Sequence, residues 1–263
     1  MKKKIGLALG SGGAKGLAHI EFLKIFDELE IKPHIIAGTS MGAFIGGWYA
    51  SGVSALEMGN IVESMKLRDF GRLLDTSITK KRGLIKGKKI MELFEKHARE
   101  KSFSSLKIPL KIVATDFWNR SENIIEKGNL SDAVRASISI PGIFEPHKIG
   151  SRIFIDGGLF NPVPYDIITD CDIVIAIDVI SRQRIHRIHP SSPNIVECII
   201  SSFHIMHTSI EDHKRKTKNP DILVQVPLET IGILDFHKYD EIKNKVRKQA
   251  HVFRKNLSKL VFT

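Results

Sequence analysis

The chain has 263 residues, 42% hydrophobic and 26% charged, with a formal net charge of +11. That length supports one large domain with a well-buried core, and a single domain over residues 1–263 is expected. No run approaches the roughly 20 apolar residues of a membrane-spanning helix. The two cysteines, Cys171 and Cys198, are too few for a disulfide framework or a cysteine-rich zinc site.

Met1-Lys2-Lys3-Lys4 has the charge of a signal-peptide start, but the apolar run after it, Ile5 to Leu9, is too short for a signal core and ends in glycines. It is read as the first strand, and a cytoplasmic protein is expected. Basic residues cluster at Lys80, Lys81, Arg82, Lys86, Lys88 and Lys89, then at Arg182, Arg184 and Arg187, and again at Lys214, Arg215, Lys216 and Lys218. Such clusters fit either a solvated basic face or an anionic partner, including a peripheral contact with an anionic membrane. Aromatic residues are scarce among them, which argues against a nucleic-acid partner.

Ile5–Leu9 runs into Gly10-Ser11-Gly12-Gly13-Ala14-Lys15-Gly16, and a helix with apolar positions from Leu17 to Leu29 follows. This glycine-rich corner fails the Walker pattern, because Gly16 rather than Ser or Thr follows Lys15. It also fails the dinucleotide fingerprint, because Lys15 stands where the third glycine belongs. What remains is a loop of unobstructed amides at a helix start, suited to a developing oxyanion.

His34-Ile35-Ile36-Ala37-Gly38-Thr39-Ser40-Met41-Gly42-Ala43 reads as strand, Gly-x-Ser-x-Gly and helix, the order of a nucleophile elbow. Gly38 and Gly42 suit the crowded turn, and the helix from Met41 to about Ala50 points its positive end at Ser40. In a parallel sheet the ends of neighbouring strands lie side by side, so Ser40 is expected near the glycine loop.

Ser54-Ala55-Leu56-Glu57 has the form of a capping box and predicts a helix to about Met65. Residues 67–86 read as a mobile polar excursion. Gly87 to Glu100 predicts an amphipathic helix with His97 partly buried on its apolar face. Strands are predicted over Leu110–Thr115, Arg152–Ile155, Ile173–Asp178 and Ile222–Val226. A helix beginning at Leu130 must stop by Pro141, Pro164 suits the first position of a helix, and Asn194 to Lys214 reads as helical. The last helix, Lys238 to Leu260, carries an apolar stripe and many lysines and arginines. It fits docking on the core, or an anionic membrane surface.

A serine hydroxyl is a poor nucleophile until a base takes its proton. With 11 histidines a Ser-His-Asp triad is not excluded by counting. The most distinctive acid, however, is Asp156, followed by Gly157 and Gly158 at the end of a predicted strand.

Taken together, four ordered segments resemble the patatin-like phospholipase family, in its compact bacterial members related to the neuropathy target esterase group. They are Gly10 to Gly16 with Ala18-His19 after it, Gly38-Thr39-Ser40-Met41-Gly42, Ala136-Ser137 through Pro141 to Phe144, and Asp156-Gly157-Gly158. The resemblance covers about residues 5–180, and residues 181–263 carry no matching motif. Ser11 departs from the glycine many members have there.

The resemblance implies a three-layer α/β fold with a central, mostly parallel sheet flanked by helices. It implies a lipid acyl-ester hydrolase acting on lipid or lysolipid, with Ser40 as nucleophile, Asp156 as proton acceptor, an oxyanion hole at Gly12 and Gly13, and no metal or cofactor. An aspartate with an ordinary pKa of ~3.9 is a weak base for serine, so partial burial of Asp156 is expected. Lys15 is a candidate for a substrate phosphate, and His19, a turn into the helix, is expected to be structural. Two other readings remain: a Ser-His-Asp hydrolase of the α/β-hydrolase type, and a non-catalytic basic binding module.

Overall fold

The computed structural model describes residues 3–65, 85–180 and 192–262. The excursion predicted over 67–86 falls outside them except for its last two residues, as do the clusters at Lys80–Arg82 and Arg182–Arg187.

The sheet has eight strands: β1 (Ile5–Leu9), β2 (Ile35–Thr39), β3 (Leu110–Asp116), β4 (Ser121–Ile125), β5 (His147–Ile149), β6 (Arg152–Asp156), β7 (Ile173–Asp178) and β8 (Ile222–Gln225). Their order is β5-β6-β3-β2-β1-β7-β8, with β4 also paired to β3. Five neighbours, β3-β2-β1-β7-β8, are parallel. β4, β5 and β6 add antiparallel pairings.

Alternation along the strands divides the two faces. Ile5, Leu7, Leu9, Ile36, Ile175 and Ile177 point into the main core. Ala8, Ala37 and Ala176 face a second, thinner cluster with Val163, Tyr165 and Ile168. Small side chains let the 161–168 segment lie close on that face. The predicted helix after Pro164 is only a single 3-10 turn, Tyr165–Ile167, with Pro164 as its cap.

The main face is covered by helices α1 (Ala18–Glu28), α2 (Met41–Ser51), α3 (Ala55–Ser64), α4 (Lys88–His97), α5 (Leu130–Ser137) and α7 (Tyr239–Phe262), and α6 (Ile195–Lys214) runs elsewhere, reaching the second face. Every residue of α2 is buried, and Gly52, at φ 104°, ends it in the left-handed conformation that favours glycine. The capping box at Ser54 and Glu57 forms as predicted. His97 meets Trp48 edge-on at 5.9 Å.

α7 docks on the core. Ile242, Val246, Phe253 and Leu257 are buried, and Phe253 meets Phe22 of α1 at 5.6 Å. Its apolar stripe is therefore not available to a bilayer. The third basic cluster divides, with Lys216 and Lys218 exposed and Lys214 and Arg215 half-buried. Lys214 Nζ donates to Asn161 Oδ1, Val163 O and Asp166 Oδ1, Arg215 lies 3.5 Å from Asp178, and Lys218 donates to Asp166 O. Among the described residues no helix is long and apolar enough to cross a membrane.

Candidate active site

β3 organises the site. β2 pairs with its first half, ending at Thr39 opposite Val113. β6 pairs with its second half, ending at Asp156 opposite Ala114. β4 spans both halves, so it holds the opposite edge of β3. Hence β2 and β6 lie end to end along one edge, and their carboxyl ends meet. The sequence expectation placed Asp156 at a strand end, and the structure gets it there by an antiparallel strand running toward β2.

At this junction Ser40 Oγ donates to Asp156 Oδ2 at 2.7 Å. The other carboxylate oxygen accepts from Gly158 N at 2.8 Å. Asp156 is buried, which pushes its pKa up to about 6, against the pull of the Ser40 and Gly158 hydrogen bonds. Ser40 is 4% exposed. Its backbone sits at φ 55°, ψ −119°, a strained position for a side-chain-bearing residue.

The strain is held from several sides. Ser40 N donates to Ser137 Oγ at 2.8 Å, and Ser137 Oγ donates to Val113 O at 2.6 Å. Thr39 Oγ1 donates to Asn161 O, and Asp156 N donates to Ser139 O. Arg135 secures this segment through Ser139 Oγ and the carbonyls of Lys86 and Glu145. The Ala136–Phe144 segment is thus a clamp on both the serine and the acid.

The glycines interlock these parts. A Cβ on Gly42 would lie 2.0 Å from Leu9 O, one on Gly38 2.6 Å from Gly42 O, and one on Gly157 2.2 Å from Val113 O. A Cβ on Gly16 would lie 2.4 Å from Met41 Cγ, so the glycine loop packs directly on the elbow. Gly10 N donates to Ile177 O, Ser11 N to Pro162 O and Ala14 N to Ile233 O. No such bond engages the amides of Gly12 and Gly13 among the described residues. His19 is buried and neutral, its pKa pushed down to about 4. Its Nε2–H donates to Gly10 O at 2.7 Å, bracing the loop.

Lys15 is 5% exposed. Burial lowers its pKa, while the carboxylates of Glu229 and Asp178 oppose that shift. The candidate phosphate ligand therefore sits beside two of the chain's own carboxylates.

His207 on α6 is the residue the sequence reading missed. Its Nδ1 lies 3.2 Å from Ser11 Oγ. Its Nε2 is buried and without a partner of hydrogen-bond geometry among the described residues. A Cβ on Gly158 would fall 2.5 Å from His207 Nε2 and 3.0 Å from Asp156 Oδ1. Burial first, then the charge of His204, pushes its pKa down to about 3, so the ring is neutral. No motif marks it; the only signal was Ser11, the departure from the family's glycine.

Asp156, not His207, holds the Ser40 hydroxyl. His207→Gln is therefore expected to keep the labelling rate of Ser40 by a fluorophosphonate within about tenfold of wild type, since positioned general-base catalysis contributes ~10²–10⁴. Labelling of the folded variant checks this, and a loss of 10³ or more would reinstate a histidine triad.

A central, mostly parallel sheet with a strained serine at its carboxyl end defines an α/β protein of patatin fold. A model of the patatin-like phospholipase family matches residues 7–169, and the chain belongs to that family. An uncharacterised NTE family protein of Mycobacterium tuberculosis is 36% identical over 178 residues, covering 67% of this chain and 49% of that protein. Lysophospholipase NTE1 of Kluyveromyces lactis is 25% identical over 279 residues, covering 96% of this chain and 19% of that protein. The chain thus spans about half, or less, of the length of these relatives. In fold it is similar to VipD from Legionella pneumophila, with a TM-score of 0.50 at 12% identity, covering 96% of this chain and 67% of that one. The type III effector protein ExoU gives 0.50 at 10% identity, covering 97% and 53%.

Proposed function

We propose that the chain hydrolyses acyl esters of lipids or lysolipids through a Ser40–Asp156 dyad. The observation that carries this reading is the direct 2.7 Å hydrogen bond from Ser40 Oγ to a buried carboxylate at a strained elbow. Membership of the patatin-like phospholipase family and a relative named as a lysophospholipase support the substrate class.

In the proposed cycle Ser40 Oγ attacks the ester carbonyl while Asp156 Oδ2 takes its proton. The carbonyl oxygen gains the negative charge and is met by the amides of Gly12 and Gly13. Collapse expels the alcohol portion, which takes the proton from Asp156. Water then attacks the acyl-enzyme, Asp156 accepts its proton and passes it to Ser40 Oγ, and the fatty acid leaves. An aspartate held at about 6 is suited to this. It is a stronger base than a free aspartate, yet still mostly ionised at neutral pH.

The test is labelling by a fluorophosphonate ester across pH. Wild type should label at a rate that falls as pH drops through about 6, because protonated Asp156 cannot accept the serine proton. Ser40→Ala should not label at all. A folded wild type that stays unlabelled both in solution and with anionic vesicles would favour the non-catalytic module.

A further inference from the structure

We propose that the carboxyl end of the sheet is the face by which the protein docks on an anionic lipid bilayer, with Phe117 and Trp118 entering the interface. The proposal rests on the lipid-hydrolase reading for its purpose, and on separate residues for its geometry.

Large exposed apolar side chains are not scattered evenly. Among the described residues nine stand out, and five of them, Phe117, Trp118, Phe160, Ile205 and Met206, belong to segments at the Ser40 end of the sheet. Phe117 and Trp118 form the turn between β3 and β4, just beyond the point where Asp116 pairs with Phe154. Phe160 follows the Gly157–Leu159 turn that carries on from Asp156. Ile205 and Met206 lie on α6 between the buried Phe203 and His207, on the outward side of the helix that packs over Gly158.

Trp118 is 76% exposed, although an indole normally gives up much of its surface on folding. Its turn is built rather than loose. Asn119 N donates to Asp116 Oδ1, Arg152 Nε donates to Asp116 Oδ2, and Phe117 N donates to Ile153 O. Phe117 and Trp118 meet edge-on at 4.9 Å, a preformed aromatic pair held out from the body. Exposed cationic residues lie on the same turn and the adjoining hairpin: Arg120 after Trp118, and Lys148 on β5, while Arg152 on β6 is paired to Asp116. An amphipathic indole with an exposed arginine in its own turn and a lysine on the neighbouring hairpin suits the headgroup level of an anionic membrane.

Orientation gives this surface its use. Ser40 is 4% exposed, and a small apolar cluster formed by Ile140, Ile143, Phe144 and Phe203, with Leu159 and Ile233 packed on it, is built on the segments that follow Ser139 and Gly158, which hold Asp156. Docking by this end would bring that cluster and the Ser40–Asp156 pair toward the acyl chains. The buried stripe of α7 and the inward-turned Lys214 and Arg215 leave those surfaces without such a role.

The chain contains two tryptophans, and Trp48 is 1% exposed, so a fluorescence change on adding lipid reports Trp118. The experiment mixes the full chain with vesicles of equal phosphatidylglycerol and phosphatidylcholine, or of phosphatidylcholine alone. Emission should shift to the blue and be quenched by brominated lipid in the anionic vesicles. A Phe117→Ala, Trp118→Ala double variant should sediment with them at least tenfold more weakly, while hydrolysing a soluble short-chain ester within twofold of wild type. Wild type that does not bind anionic vesicles, or a double variant that binds as well as wild type, would overturn the proposal. So would equal binding to both vesicle types at low salt. If Trp118 enters the bilayer but wild type cleaves no ester, docking stands and the hydrolase reading falls.

Discussion

Asp156→Asn is expected to lower kcat for ester hydrolysis by about 10²- to 10⁴-fold while making the protein more stable above pH 6. The first half follows from the cycle, because an amide cannot take the serine proton. The second follows from burial. The native carboxyl is held at about 6, above the ordinary aspartate value of 3.8. Between those values the native state binds the proton more tightly than the unfolded chain, so stability falls as pH rises through that window and stays lower above it. The shift corresponds to on the order of 3 kcal/mol. Asparagine does not ionise, and its amide can still accept from Gly158 N and donate to Ser40 Oγ. Its melting temperature at pH 8 should therefore exceed that of wild type by several degrees, and the two should converge near pH 4. An equally inactive variant that melts lower would mean that Asp156 serves as a structural anchor rather than a strained base.

Gly42→Ala should be the most damaging methyl group that can be added to the chain's elbow. Its Cβ would lie 2.0 Å from Leu9 O, 2.5 Å from Leu9 C and 2.7 Å from Gly10 O. These are backbone atoms of the central strand and of the glycine loop, and neither can yield without breaking the β1 pairings on both sides. A loss of at least about 3 kcal/mol is expected, at the upper end of overpacking effects, and labelling should disappear with it. Gly59→Ala on α3 is the control. There a Cβ meets only the Tyr239 hydroxyl at 3.3 Å and the flexible end of Lys24, and the gain in helix propensity should leave stability unchanged or raised. Urea unfolding of both variants measures the contrast.

The parts of the site that were legible in the sequence are those dictated by local backbone chemistry. Gly38-Thr39-Ser40-Met41-Gly42 between an apolar strand and an apolar helix permits little except an elbow. The Ser54–Glu57 box, the long helices, and the parallel strands Ile173–Asp178 and Ile222–Gln225 were readable because period and capping agree. What stayed hidden depends on partners far away in the chain. β4, Ser-Glu-Asn-Ile-Ile, is half-polar and borders the sheet, and β5 has three residues. Neither has a periodicity long enough to detect. That β6 runs antiparallel, and shares an edge of β3 with β2, is a matter of pairing and not of composition. Ser137 belonged to a recognisable segment, yet its hold on the Ser40 amide is visible only in three dimensions. His207 sits on α6, where its spacing is indistinguishable from that of an ordinary buried face.

The end-to-end meeting of β2 and β6 has a consequence for the protein's birth. Ser40 and Asp156 are 116 positions apart. At about 5–20 residues per second, a ribosome finishes the elbow many seconds before it adds the base. Until β6 has been made and has found the free half of the β3 edge, the serine has no proton acceptor beside it. Onset of Ser40 labelling by a fluorophosphonate in a translating population would therefore time-stamp the closing of the sheet's middle. A nascent chain interrupted before that moment would carry a finished elbow whose serine has no base.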